Sequence, residues 1–179
     1  EITFVELDSG IEYVADGTPW TATFNTDAIN NADELNIVGL RVSMSYGEDE
    51  TANGATCGAS GADTITGMAS HLNFTNTADG QNNGGSGAHD VTVEWYNSSM
   101  VGAVVEGLTM DEIKQQIDSM GAGLGNHSVD IEVSADVGNE NPIPIGGCQR
   151  SDNGEEVSYT VELIVLEYTI APFIDTSDI

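Results

Sequence analysis

The chain has 179 residues, of which thirty are acidic and only three basic (Arg41, Lys114 and Arg150), for a net charge of −27. A surface of that sign repels nucleic acid and anionic lipid, so neither is expected as a direct partner, and it attracts cations or basic proteins. With 39% hydrophobic residues the chain can still build a real core, and no run of ~18 apolar residues offers a membrane-spanning helix.

The acids are scattered, often alternating with apolar residues, which is the pattern of a solvated face and not of a disordered acidic tail. No Pro/Ser-rich linker, charge block or internal repeat divides the sequence, so residues 1–179 read as a single domain. The chain opens without Met or an apolar leader, so any signal peptide is expected to have been removed already, and an ectodomain cut from an anchor is the other expectation.

Taken in chain order, period-2 alternation dominates, the mark of half-buried strands with one wet face. Ile2–Leu7 is a weak strand candidate. Trp20, Ala22 and Phe24 alternate with threonines, and the even positions from Val38 to Tyr46 are apolar. Residues 47–61 then read as a long Gly/Asp/Asn-rich loop, 64–74 as one weak strand, and 75–88 as a second long loop. Val91, Val93 and Trp95 form the next apolar phase.

Thr109 and Glu112 compose a capping box that predicts a short amphipathic helix. Its apolar face would be Met110, Ile113, Ile117 and Met120, with Gly121 as its stop. Val129, Ile131, Val133, Ala135 and Val137 alternate with polar residues as a further strand. In the last segment the apolar phase changes from odd (Val157 to Leu163) to even (Ile164 to Ile170). A bulge, a crossing between sheets or a fully buried centre would each account for the change. The expected fold is mainly β: an antiparallel β-sandwich, jelly-roll or Ig-like, with one short helix.

Calcium is the best-supported cofactor, because it takes six to eight hard oxygens and the acidic loops supply them. One candidate cluster is Glu48, Asp49, Glu50 and Asn53; another is Asp136, Asn139, Glu140 and Asn141. The stretch from Asp79 to Asp90 is similar to a calcium-binding nonapeptide, but its acid falls one place late and it occurs once, so it is set aside.

His71, His89 and His127 lack metal-ligand spacing and are expected to be satisfied or exposed. No Gly-x-Ser-x-Gly elbow, phosphate loop or other catalytic signature is present, so a non-enzymatic role is expected. Trp20 and Trp95 lie on the apolar phase of their strands and read as core, whereas Tyr96 reads as an exposed ring.

Cys57 and Cys148 lie in Gly-rich segments without Cys-x-x-Cys spacing, which suits a disulfide and hence an oxidising, extracellular compartment. The bridge would close ~90 residues and constrain the unfolded chain by roughly 4–5 kcal/mol. Asn73, Asn97 and Asn126 each open an Asn-x-Ser/Thr sequon, a glycosylation acceptor.

In layout and composition the chain resembles secreted β-sandwich subunits of archaeal and bacterial surface fibres, and the acidic surface proteins of archaea from salt water. That resemblance implies a structural subunit of an extracellular filament or cell-surface layer, a homopolymer joined through terminal strands. The contact residues would be Ile2, Phe4 and Val5 at one end and Tyr168, Ile170 and Phe173 at the other. The alternative is a monomeric surface module that recognises glycan or protein, with calcium as an aid.

Overall fold

In the computed structural model, the residues described are 1–48, 51–54, 56–58, 61–81, 86–140 and 146–172. Ten strands and one α-helix follow in the order β1 (Ile2–Ala15), β2 (Trp20–Asn25), β3 (Ile37–Gly47), β4 (Thr51–Asn53), β5 (Thr64–His71), β6 (Phe74–Gln81), β7 (Ser86–Glu94), α1 (Met110–Ile117), β8 (Asn126–Ser134), β9 (Gln149–Ser151) and β10 (Gly154–Leu166). One antiparallel sheet has the order β1-β10-β3-β7, a second has β2-β8-β5-β6, and β4 pairs with β9 as a small third sheet. With that pair set aside, the long strands pass between the two main sheets in the winding of a jelly roll.

The two main sheets face each other across one hydrophobic core. Leu40, Val42, Val161 and Leu163 of the first sheet pack with Ile65, Ala69, Val129 and Ile131 of the second. The approach is close: a Cβ on Gly67 would lie 2.3 Å from Met44 Cε. Trp20 and Trp95 pack against this core half-buried, as their strand phase predicts. The Trp95 indole N–H donates to the Ile37 carbonyl at 2.9 Å.

The phase change in the last strand has a specific cause. Val157, Tyr159, Val161, Leu163 and Val165 keep one phase and all face the sandwich interior. Ile164 and Leu166 are buried on the opposite face, beneath Ile113 and Ile117 of α1 and beside Tyr96 and Met100. The centre of β10 is therefore covered on both sides. A bulge is present as well, but its extra residue is Val38 on β3, since Ile164 pairs with Gly39 and Val165 with Ile37. The strand serves one sheet only, and its far end packs on the chain's own helix.

Other expectations need correction. Strand β1 continues to Ala15, past a bulge between Glu6 and Asp8. Residues 64–74 break at the Leu72–Asn73 turn into β5 and β6, and β6 and β7 occupy most of the segment read as a loop. β6 escapes sequence reading because it is an edge strand, mostly exposed on both faces, so no apolar alternation marks it. The capping box is present, with Thr109 and Glu112 reciprocally bonded, but the helix stops at Ile117. Met120 lies outside it with φ 52° and 69% exposed. Tyr96 is half-buried in the second cluster, not an open ring.

Candidate metal centre

The interior stripes of three strands end in carboxylates at the same end of the sandwich. On β3 the interior series Val42, Met44, Tyr46 leads to Glu48, two residues beyond Tyr46. On β5 the series of Ala69, Gly67 and Ile65 runs back to Asp63, two residues before Ile65. On β10 the odd series back from Val157 ends at Glu155. Asp63 and Glu155 are fully buried, and Glu48 is partly buried. Asp152, from the turn between β9 and β10, completes a group in which one carboxylate oxygen from each residue lies within 4.8 Å of the others. Glu48 and Glu155 come from one main sheet and Asp63 from the other, so the cluster closes the end of the core where apolar packing stops.

Local backbone geometry places each group. A Cβ on Gly154 would lie 2.1 Å from the Val14 carbonyl, and its φ is 125°, so only glycine lets β10 begin this close to β1 with Glu155 turned inward. The Gly154 N–H donates to Asp152 Oδ1 at 3.0 Å and fixes the turn. The Asp63 N–H donates to Glu48 Oε1 at 3.2 Å, and Asp63 Oδ1 accepts the Asp136 N–H at 2.8 Å. The Tyr46 hydroxyl donates to the Asp63 carbonyl at 2.5 Å. Glu48 Oε2, Asp63 Oδ2, Asp152 Oδ2 and both oxygens of Glu155 are shielded from solvent.

The surrounding loops are cross-linked. Cys57 and Cys148 form a disulfide across a sequence separation of 91 residues, and β4 pairs with β9 beside it. The Thr56 hydroxyl donates to the Gly146 carbonyl at 2.9 Å, and the Arg150 guanidinium donates to the Gly58 carbonyl. These links join the segments that follow Glu48 and precede Asp152.

Four carboxylates this close repel one another. At 4.8 Å and an effective dielectric near 20, each ionised pair costs about 3 kcal/mol. A divalent cation is one group that can offset that cost, and an all-oxygen, all-anionic donor set matches a hard cation. The group could hold a metal ion.

Sequence reasoning named Glu48 and missed Asp63, Asp152 and Glu155. Asp49, Glu50 and Asn141 lie outside the described residues. Asn53 belongs to β4, where it pairs with Gln149. Asp136 donates its backbone N–H to Asp63 Oδ1, and its own Oδ1 accepts from Gly138 N–H. Glu140, next to Asn139, accepts the Arg150 N–H at 2.9 Å and lies outside the group. The overlooked signal was an acid on the apolar phase of a strand, as at Glu155 and Asp63.

Of the expected contact residues, Val5 packs against the core, and Tyr168 and Ile170 pack on the α1 cluster. Burial and the hydrogen bond to Asp118 push the Tyr168 hydroxyl up to about 12. Ile2 and Phe4 are exposed, with the Arg41 guanidinium 3.7 Å above the Phe4 ring. Phe173 lies outside the described residues. β1 pairs with β10 over Ile2 to Ala15, so the N-terminal strand is already seated in its own sheet.

His71 and His127 lie at the opposite end of the sandwich. They stack at 4.2 Å beside Trp95. His71 bridges the carbonyls of Asn126 and Ala122, and His127 Nε2 meets that of Gly123 at 3.1 Å. Burial, then the neighbouring His71, lowers His127 to about 4, against a smaller raising effect of the Gly123 carbonyl.

Among the described residues, no helix is long and apolar enough to cross a membrane. No protein-family model matches the chain, and no curated protein matches it significantly.

Proposed function

We propose that this chain is a calcium-stabilised extracellular module that recognises a protein or glycan partner at a cell surface. The observation that carries the reading is the carboxylate group of Glu48, Asp63, Asp152 and Glu155, flanked by segments that a disulfide joins. Calcium suits it because the donors are all hard oxygens, with backbone carbonyls and water available to complete a coordination number of six to eight. A disulfide favours an oxidising compartment, which is also where calcium is abundant. In this reading the ion fixes the loops around β4 and β9 in one conformation, and those loops are the recognition surface.

Calorimetric titration of the metal-free chain with CaCl2 in 150 mM KCl tests it. One saturable site that is lost in Asp63→Asn supports the reading; no saturable site, or one indifferent to Asp63→Asn, overturns it.

A second reading, a subunit of a filament or surface layer, is favoured by one observation. β1 is a long free sheet edge with Ile2, Phe4, Ile11 and Tyr13 exposed along it, the kind of strand that pairs with a neighbour. Glu6, Asp8 and Glu12 on the same strand oppose pairing between identical copies. Light scattering at high concentration with calcium and with chelator separates the readings, since the module stays monomeric and the subunit polymerises.

A further inference from the structure

The molecule is polarised. The metal group, the disulfide and the β4–β9 pair lie at one pole. The three sequons all lie at the other, although asparagines occur at both. Asn73 is at the exposed turn between β5 and β6, Asn97 follows the end of β7, and Asn126 opens β8. His71 Nδ1 meets the Asn126 carbonyl at 2.9 Å, which joins the end of β5 to the start of β8, and the Asn97 N–H donates to the Gln116 carbonyl of α1 at 2.8 Å.

The same pole carries several of the exposed large apolar side chains among the described residues. Leu72 and Phe74, 73% and 38% exposed, flank Asn73. Leu124, 37% exposed, lies two residues before Asn126, and Val101 and Val104, 41% and 59% exposed, follow Asn97 in the same loop. Leu72 is held with φ 52°, an uncommon state for a bulky side chain, and this keeps it turned outward at the hairpin tip. On a chain of charge −27, apolar groups concentrated at one end need a cover or a partner.

We propose that Asn73, Asn97 and Asn126 carry N-linked glycans and that these cover the apolar pole, leaving the metal-braced pole clear. The side chains fit the acceptor role. Asn73 and Asn126 are exposed. In the Asn97 sequon the Ser99 hydroxyl donates to Asn97 Oδ1 at 2.7 Å, which brings together the amide and hydroxyl that define the acceptor. Asn126 Oδ1 accepts from Asn25 Nδ2 at 2.7 Å, so its oxygen is fixed and its amide nitrogen is the atom left for the glycan. In the transfer, the amide nitrogen attacks the anomeric carbon of a lipid-linked sugar donor. A C–N bond forms, the phosphate-linked lipid leaves, and one amide proton is lost.

This inference rests on the extracellular reading above but not on calcium. The test is secretion of the full chain from yeast, followed by peptide mass spectrometry of the three sites, with a non-reducing gel to read the disulfide. Occupancy at Asn73 and Asn126, together with at least a threefold rise in bis-ANS fluorescence after enzymatic deglycosylation, supports the proposal. A disulfide-bonded, secreted chain with empty sequons overturns it and leaves the extracellular reading standing. Occupied sequons with unchanged bis-ANS fluorescence overturn the covering role. Failure to form the disulfide counts against the extracellular reading itself and takes this proposal with it.

Discussion

Replacing Glu155 by Gln should have opposite effects with and without calcium. Glu155 is fully buried and one of its oxygens lies within 4.8 Å of an oxygen from each of three other carboxylates. With the site empty, three repulsive pairs of about 3 kcal/mol each would be removed. Glu155 also has a favourable interaction with its surroundings, and losing it offsets much of that gain. The variant should therefore be more stable than the parent in EDTA by about 2–4 kcal/mol, a rise in Tm of roughly 5–15 °C for a domain of this size.

With calcium at a hundred times Kd, the parent should gain about 2.7 kcal/mol by linkage, or roughly 5–11 °C. The variant, one ligand short, should lose most of that gain. Differential scanning calorimetry in 2 mM CaCl2 and in EDTA reads both numbers. A Glu155→Gln chain destabilised equally in both conditions would refute the reasoning, since it would make Glu155 an ordinary hydrogen-bonding core residue.

Three other outcomes follow from the structure. The double variant Cys57→Ser, Cys148→Ser should lose roughly 4–5 kcal/mol in denaturant unfolding, and its calcium affinity should fall as the joined segments loosen. Ile164→Ala should cost 2–4 kcal/mol although Ile164 lies outside the main core, because α1 covers it; a loss below 1 kcal/mol in urea unfolding would mean that α1 does not pack there. Lowered from 6.5 to about 4, His127 is protonated in the unfolded chain before the folded one. Its contribution is thus complete above pH 6.5 and lost as pH falls toward 4, by about 3 kcal/mol. His127→Gln, which retains a donor for the Gly123 carbonyl, should make stability less steep across that window in pH-dependent unfolding, whereas an unchanged slope would remove His127 as the cause.

The sandwich was legible in the sequence because each long central strand has one wet face. Val38 to Tyr46, and Val129 to Val133, state their phase directly, and the Thr109–Glu112 box announces the helix. The choice of jelly roll was not legible, because strand order depends on contacts between residues more than a hundred positions apart, such as Ile2 with Leu166. Edge strand β6 was hidden by its exposure. The phase change at Leu163–Ile164 was visible, but its cause, α1 covering the outer face of β10, was not. The disulfide followed from composition and context.

The carboxylate group was half hidden for another reason. Local density of acids pointed to loop clusters, whereas three of the four ligand candidates are defined by strand phase: Glu48 continues from Tyr46, Asp63 precedes Ile65, and Glu155 precedes Val157. An acid on an apolar stripe carries more information than several acids in a loop, because burying it has a cost that something must offset.

The most direct test of a metal at the sandwich end is anomalous diffraction from crystals grown with calcium. The account predicts one strong peak among Glu48, Asp63, Asp152 and Glu155, absent from crystals of Glu155→Gln. An ordered quartet without a peak, its oxygens paired at proton-sharing distance, would contradict it.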